Sequence, residues 1–424
     1  MNARVSEALD EDRAELLGIA SSMEDTVPQL AERLGLWRDF LAKGTTGAAS
    51  PLAAEDVLEQ ATRAIRHIWL QAAASSTSKS YRSPTEDERT VTPTGRFHNF
   101  GYERDLQPDA LERRCKNFFS APPSGWPQDH VLFSSGQAAM TAVLTLLFSR
   151  QDGALRLHHA GCYFETVNLL TLFAGRFENV GGQDADTVIV EPVSCDGVEF
   201  GTVSLAQLAT HASSDATQSI VVDSTLAGLD DGLNDLLSNL PPEREVFRVH
   251  SGLKLFQAGL ELADVGIVSV YGAPSGDMLR RIRTLHGAGL RFADVAALEL
   301  PLFLDPGATR RYEDAVFAHN RVLAHAARAN PAFDVSYPCD TKPAPFVIVN
   351  LRDAAHYENL DERICDEARK RGLVFDKGGS FGFRGHRFET VRPELGPPFL
   401  RVAMGRRGGP SLAGILQLFR TLTL

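Results

Sequence analysis

Cysteine is scarce in this chain. There are five among 424 residues, Cys115, Cys162, Cys195, Cys339 and Cys365, and no two of them have CxxC spacing. So few, so scattered and odd in number, they exclude a disulfide framework and a structural zinc site. Long apolar runs are lacking too: the longest, Ala138 to Phe148, is interrupted by threonines and is too short to cross a bilayer. The opening stretch, MNARVSEALDEDRAE, is acidic and lacks the basic-then-apolar build of a secretory signal, so a soluble cytoplasmic protein is expected. Positive charge is in deficit, 43 Lys+Arg against 54 Asp+Glu for a net −11, which argues against a general nucleic-acid binder. No internal repeat is present. What remains is a chain 43% hydrophobic, long enough to bury a large core in two domains or more.

Residues 1–96 differ in texture from the rest. Leu30 to Leu41 and Glu55 to Ala74 have helical apolar spacing, with Leu58, Ala61, Ile65, Ile68 and Trp69 on one stripe and Pro51 as a helix start. Ser75 to Thr94, rich in Ser, Thr and charge, reads as a linker. From Phe97 to Tyr271 short β-like runs alternate with helical ones. The strands are expected at Val131–Phe133, Leu155–His158, Thr187–Val190, Ser219–Asp223, Val246–His250 and Val265–Val270, and the helices at Ala138–Phe148, Phe164–Ala174 and Ser204–Ala212. Such alternation predicts a mostly parallel sheet between helices. A long amphipathic helix over Gly307–Ala329 follows, then strands at Phe346–Leu351 and Phe399–Ala403 and a last helix after Pro410. The division expected is a helical extension and linker over 1–96, a large α/β domain over 97–303, and a connecting helix with a smaller α+β domain over 304–424.

Chemistry concentrates at strand ends. The run Ile220-Val221-Val222 ends in Asp223, and about thirty residues on, Val246–Val249 leads into His250-Ser251-Gly252-Leu253-Lys254. An Asp on one strand and a Ser-x-x-Lys on another are what pyridoxal phosphate needs. The carboxylate keeps the pyridine nitrogen protonated, the lysine holds the aldehyde as a Schiff base, and the serine reaches the phosphate. Apolar residues on both sides of Lys254 lower its pKa and suit it to that role. Upstream, Ser134-Ser135-Gly136-Gln137 turns from a strand into a helix, either as an ordinary cap or as a phosphate-binding N-terminus. Tyr163, in Tyr163-Phe164-Glu165-Thr166, reads either as a core tyrosine or as a ring that stacks on a planar cofactor and moves protons.

These segments, in order, resemble the fold-type I pyridoxal phosphate enzymes of the Cys/Met-metabolism group, the cystathionine γ-synthase-like family. Gly101-Tyr102-Glu103-Arg104 resembles its Tyr-x-Arg segment, Ser135-Gly136-Gln137 its phosphate turn, and Tyr163 its ring-stacking tyrosine. Val222-Asp223-Ser224-Thr225 and His250–Lys254 resemble its Val-Asp-Asn-Thr and His-Ser-x-Thr-Lys, Gly378-Gly379-Ser380 a segment lining its substrate site, and Phe399–Gly405 the strand whose arginine, here Arg401, grips the substrate carboxylate. The resemblance spans about Phe97 to Leu424. It departs at Leu253, where the family has threonine, and at Glu191–Asp196, where Cys195 replaces an asparagine. The stretch from Lys254 to Asp264 is about three residues longer than the family's.

The resemblance implies a three-layer α/β/α large domain of the aspartate aminotransferase-like type with a smaller α+β domain. Its cofactor would be pyridoxal 5'-phosphate, held by Ser135, Gly136, Gln137, Tyr163, Asp223, Thr225, Ser251 and Lys254, with Tyr102 and Arg104 reaching the neighbouring subunit's phosphate. Lys254, Tyr163 and Asp223 would be catalytic, and Arg401 and Ser380 would bind an amino-acid substrate. The expected assembly is a homodimer or homotetramer with shared sites, and no metal, membrane or nucleic-acid partner is expected. The reaction implied is γ- or β-elimination or replacement, on a substrate such as S-adenosylmethionine or an O-activated homoserine. Transamination or decarboxylation uses the same holding residues, and a non-catalytic regulator that kept the fold is a remoter reading.

Overall fold

A computed structural model describes residues 2–75, 90–123, 125–161, 163–211, 217–338, 342–393 and 396–423. Cys162, Cys339, Ala212 and residues 76–89 of the linker lie outside the described residues. The centre of the protein is a seven-stranded sheet. Its strands are β1 (Gln128–Phe133), β2 (Leu155–Ala160), β3 (Phe177–Asn179), β4 (Thr187–Val190), β5 (Ser219–Asp223), β6 (Glu245–Ser251) and β7 (Gly266–Tyr271). They lie in the order β1-β7-β6-β5-β4-β2-β3. All neighbours are parallel except those of β7, which runs antiparallel to both β6 and β1.

The apolar runs that predict these strands are buried on both faces, as expected of a sheet sandwiched between helices. Successive residues alternate between the two layers. Ile189, Val221, Phe247 and Val268 pack with Val143, Leu146 and Leu147 of helix α5 (Gly136–Ser149). Val188, Val190, Ile220, Val222 and Val246 pack on the other side with Leu205, Leu208, Leu233, Leu236 and Leu237. This is the three-layer α/β/α arrangement the sequence implied.

A second sheet of five strands follows, comprising β8 (Phe333–Ser336), β9 (Val347–Leu351), β10 (Phe375–Lys377), β11 (His386–Val391) and β12 (Phe399–Ala403), in the order β8-β9-β12-β11-β10. Only β9 and β12 are legible as strands in the sequence. The others are short or carry polar residues such as His386, Arg387 and Glu389. The long helix (Pro306–Arg328) and the last helix (Pro410–Thr421) flank this sheet and share its core.

At the N-terminus three helices pack on the rest: α1 (Asn2–Thr26), α2 (Ala31–Thr46) and α3 (Pro51–Ser75). The stripe read on α3 is buried, with Leu58, Ala61, Ile65 and Trp69 at 0% exposure, and the Trp69 indole N–H donates to Ala297 O at 2.8 Å. Helix α1 is a finding of the structure. Its charged surface conceals an apolar face of Leu16, Ile19, Ala20 and Met23 and a fully buried Asp12. Among the described residues no helix is long and apolar enough to cross a membrane.

Candidate active site

Ligands of open α/β sheets collect outside the carboxyl ends of the parallel strands. Here a cavity of about 240 Å³ opens at that end, lined by Ser135, Gly136, Gln137, Tyr163, Asp223, Thr225, Ser251, Lys254 and Arg401 among others. Ten of the twelve residues singled out from the sequence are Ser135, Gly136, Gln137, Tyr163, Asp223, Thr225, Ser251, Lys254, Arg401 and Ser380; the structure gathers nine in the lining and sets Ser380 directly behind Lys254.

Each is placed by its element. β5 and β6 are adjacent and parallel, with Asp223 in register with Val249, so Asp223 and the segment Ser251–Lys254 emerge side by side. Asp223 closes a turn by accepting the Thr225 N–H at 2.9 Å, and the Thr225 hydroxyl accepts the Ser251 N–H at 2.9 Å. That ties the two strand ends together. Ser135 caps α5 by accepting the Ala138 N–H at 3.0 Å, leaving the first turn of the helix facing the cavity at Gly136 and Gln137. β7 crosses so closely behind this turn that a Cβ on Gly266 would lie 2.0 Å from Ser135 O.

The electrostatics of the cavity centre on a buried amine. Burial lowers the pKa of Lys254 below its ordinary value, with the Glu261 carboxylate pulling the other way. Its Nζ donates to Ser380 Oγ at 2.8 Å and lies 4.0 Å from Glu261 Oε1. Burial pushes the Asp223 carboxyl up, and Thr225 only partly opposes that. Glu191, at the end of β4, is raised well above the usual range by burial and by Asp223. It accepts the Tyr163 N–H at 2.7 Å and thereby anchors that residue. Burial also raises the pKa of the Tyr163 phenol. Arg401, on β12, donates to Tyr163 OH at 3.2 Å, to Gly379 O, and to the carboxylate of Glu389 on β11.

Tyr102 and Arg104 stand elsewhere. Tyr102 is 57% exposed and the Arg104 guanidinium lies 5.1 Å from its ring centroid, and neither lines this chain's cavity. Cys195 is buried in the hairpin Val193–Cys195/Phe200–Thr202, also outside the lining. His250 stacks on Phe119 and is held neutral by burial.

Sequence reasoning missed Glu261 and Glu389. Glu389 sits on a strand with no apolar alternation to place it. Glu261 belongs to the longer stretch after Lys254, the one local signal that pointed to it.

The donor set fits pyridoxal phosphate. A carboxyl without a cationic partner among the described residues opens onto the cavity, a helix N-terminus faces it with Ser251 alongside, and a desolvated amine stands opposite. No family model matches the chain, and no curated protein does either. Solved structures do. A methionine γ-lyase from Micromonospora echinospora superposes with TM-score 0.56 at 22% identity, over 80% of this chain and 91% of its own. A cystathionine γ-synthase from Xanthomonas oryzae pv. oryzae gives 0.58 at 15%, over 83% and 97%. A putative O-acetylhomoserine (thiol)-lyase from Campylobacter jejuni, which carries a pyridoxyl-lysine monophosphate, gives 0.53 at 16%, over 76% and 87%. The chain therefore has the fold of these γ-lyase, γ-synthase and thiol-lyase structures.

Proposed function

We propose that the protein is a pyridoxal phosphate enzyme that eliminates or replaces a group at the γ- or β-carbon of an amino acid. The observation that carries this is the convergence of Asp223 and Lys254, from adjacent parallel strands, with the N-terminus of α5 in one cavity. Ser135, Gly136, Gln137, Thr225 and Ser251 would hold the phosphate end, Asp223 the ring nitrogen, Tyr163 the ring face and Lys254 the aldehyde carbon. Bound there, the cofactor supplies an electron-withdrawing ring that lets an amino acid's α-C–H bond ionise. The division of labour is that of residues 97–303 as the cofactor domain and 304–424 as the substrate-side domain.

The chain's own residues do the rest. Arg401 binds the α-carboxylate as a bidentate fork, and Glu389 must release it to do so. Lys254, its pKa lowered by burial, takes the α-proton on Nζ when neutral. Tyr163, hydrogen-bonded to Arg401, is placed to give or take a proton further along the side chain. Glu165 and Asp264 also line the cavity, and this surplus of carboxylates favours a cationic leaving group such as the sulfonium of S-adenosylmethionine over a neutral ester of homoserine.

Incubating the enzyme in deuterium oxide with each of these substrates tests the reading. Exchange of α- and β-protons with release of the γ-group is expected. Exchange at the α-carbon alone, with amino transfer to a keto acid, would assign an aminotransferase instead.

The site is shared between two copies in this reading. Among the described residues the cations in the lining are Lys254 and Arg401, and neither lies on the Ser135–Gln137 turn, so a phosphate there calls for a cation from outside. Arg104, on an exposed turn, supplies it to a second copy. Arg104→Ala should weaken cofactor binding by about 1.5–3 kcal/mol, or roughly 10- to 150-fold. Mixing it with Lys254→Ala protein should regenerate activity in heterodimers, and no recovery after proven subunit exchange would exclude the shared site.

A further inference from the structure

Nothing in the proposed reaction calls for α1 and α3, yet both reach the back of the lysine. Between Lys254 and Asp264 the backbone takes left-handed conformations at Ala258 (φ 47°), Gly259 (φ 80°) and Glu261 (φ 41°). Residues with a Cβ rarely adopt these without outside support. The support comes from two arginines. Arg66 of α3 donates to Leu260 O at 2.5 Å and to Glu261 O at 2.7 Å. Arg384 donates its guanidinium to Ala258 O at 3.2 Å and its backbone N–H to Gly259 O at 3.1 Å, and is itself ion-paired to Asp12 and Glu15 of α1. At Gly259 a Cβ would lie 2.6 Å from both Arg384 and Tyr312, so the loop cannot shift sideways.

This frame delivers the Glu261 carboxylate, buried, to Ser380 and Lys254. Glu261 Oε1 accepts from the Ser380 hydroxyl and from the Gly382 N–H at 3.1 Å, and Ser380 Oγ in turn accepts from Lys254 Nζ at 2.8 Å. The result is an unbroken hydrogen-bonded chain from amine to carboxylate. We propose that Glu261 is the proton-holding partner of Lys254, reached through Ser380, and that Arg66 of α3 and the α1-anchored Arg384 are the positioning residues that keep it there. The proposal rests on the reading of Lys254 as the reactive amine.

The proton balance is simple. A Lys254 ammonium N–H bond breaks as its proton passes to Ser380 Oγ, and the Ser380 O–H proton passes to Glu261 Oε1. The lysine is left neutral, its lone pair free, beside a neutral carboxylic acid, and the reverse transfer reprotonates it. Burial narrows the gap between the ion pair and this neutral pair, by raising Glu261 and lowering Lys254. Arg387 and Arg66 face Glu261 with Lys254, while Arg401, Asp264 and Glu165 face Lys254 with Glu261. Glu261 is the carboxylate joined to the amine by a hydrogen-bonded path.

The test uses the full chain freed of cofactor, so that it reads the pair whether or not pyridoxal phosphate binds. Lys254 is labelled with acetic anhydride across pH, and its peptide is quantified by mass spectrometry in wild type, Glu261→Gln and Arg66→Lys. Glu261→Gln keeps an acceptor for Ser380 and Gly382 but removes the charge. It should lower the Lys254 titration midpoint by about one pH unit or more, a tenfold change in neutral amine at fixed pH. Arg66→Lys keeps the charge of α3 but not the two-pronged grip, and should reproduce part of that shift. A wild-type midpoint in Glu261→Gln would overturn the partnership and leave Glu261 a purely structural acceptor; a wild-type midpoint in Arg66→Lys would overturn the frame. A chain with the expected shifts that takes up no pyridoxal phosphate would defeat the cofactor reading and leave the coupling standing.

Discussion

Lys254→Ala should abolish turnover, with kcat falling by about 10⁴-fold or more, while Tm stays close to that of wild type. In the proposed reaction the lysine would hold the cofactor and, freed by the substrate's amine, would take the α-proton, so its removal would cost both roles. It contributes little to stability: among the described residues Nζ has one hydrogen bond, to Ser380, and the nearest carboxylate is 4.0 Å away. The wild-type protein should be yellow with pyridoxal phosphate. Borohydride should fix a pyridoxyl group to the Lys254 peptide and to no other, and the variant should carry no reducible linkage. A wild-type protein that stays colourless in excess cofactor would remove the cofactor and the reaction together.

Much of this site could be read along the chain, because parallel strands buried on both faces are written as short apolar runs and their carboxyl ends are where the chemistry stands. Val221-Val222-Asp223 and Val249-His250-Ser251 show strand and candidate site residue in one stretch, and the structure sets their ends side by side. The antiparallel course of β7 was not legible, since an apolar run has no direction. Glu261 could not be placed on the lysine because that requires left-handed backbone at two residues other than glycine, held by arginines 195 and 126 positions away. Glu389 was hidden for a similar reason: it meets Arg401 only through the pairing of β11 with β12. Helix α1 shows the same limit more sharply. Nothing local marks Asp12 for burial among its acidic neighbours, and the arginines that draw it into the interior lie 372 and 395 positions further on.

Those arginines make Asp12 the residue whose loss should cost the most stability. Asp12 is 0% exposed, Arg384 0% and Arg407 1%. Asp12 pairs with Arg384 and with Arg407 Nε at 2.9 Å, and Arg407 also reaches Glu59 of α3 at 2.8 Å. Removing Asp12 takes one carboxylate from each buried guanidinium, leaving Arg384 with Glu15 and Arg407 with Glu59, and such an under-compensated buried cluster costs about 3–5 kcal/mol. Asp12→Ala should lower unfolding stability by that amount. Asp366→Ala, which breaks the exposed Arg369–Asp366 pair, should cost only about 0–1 kcal/mol. Urea unfolding of the two variants against wild type measures the contrast. The cluster also fixes the sign of an acid transition. Burial alone would raise the Asp12 pKa, but Arg384 and Arg407 outweigh it and hold the carboxyl well below its ordinary value. A depressed carboxyl stabilises the fold fully above its unfolded pKa, about 3.9, and loses that contribution as pH falls below it. Wild type should therefore lose stability more steeply than Asp12→Ala between about pH 4 and pH 2. Parallel curves over that range would mean that Asp12 carries no such load, and that α1 is held by its apolar face alone.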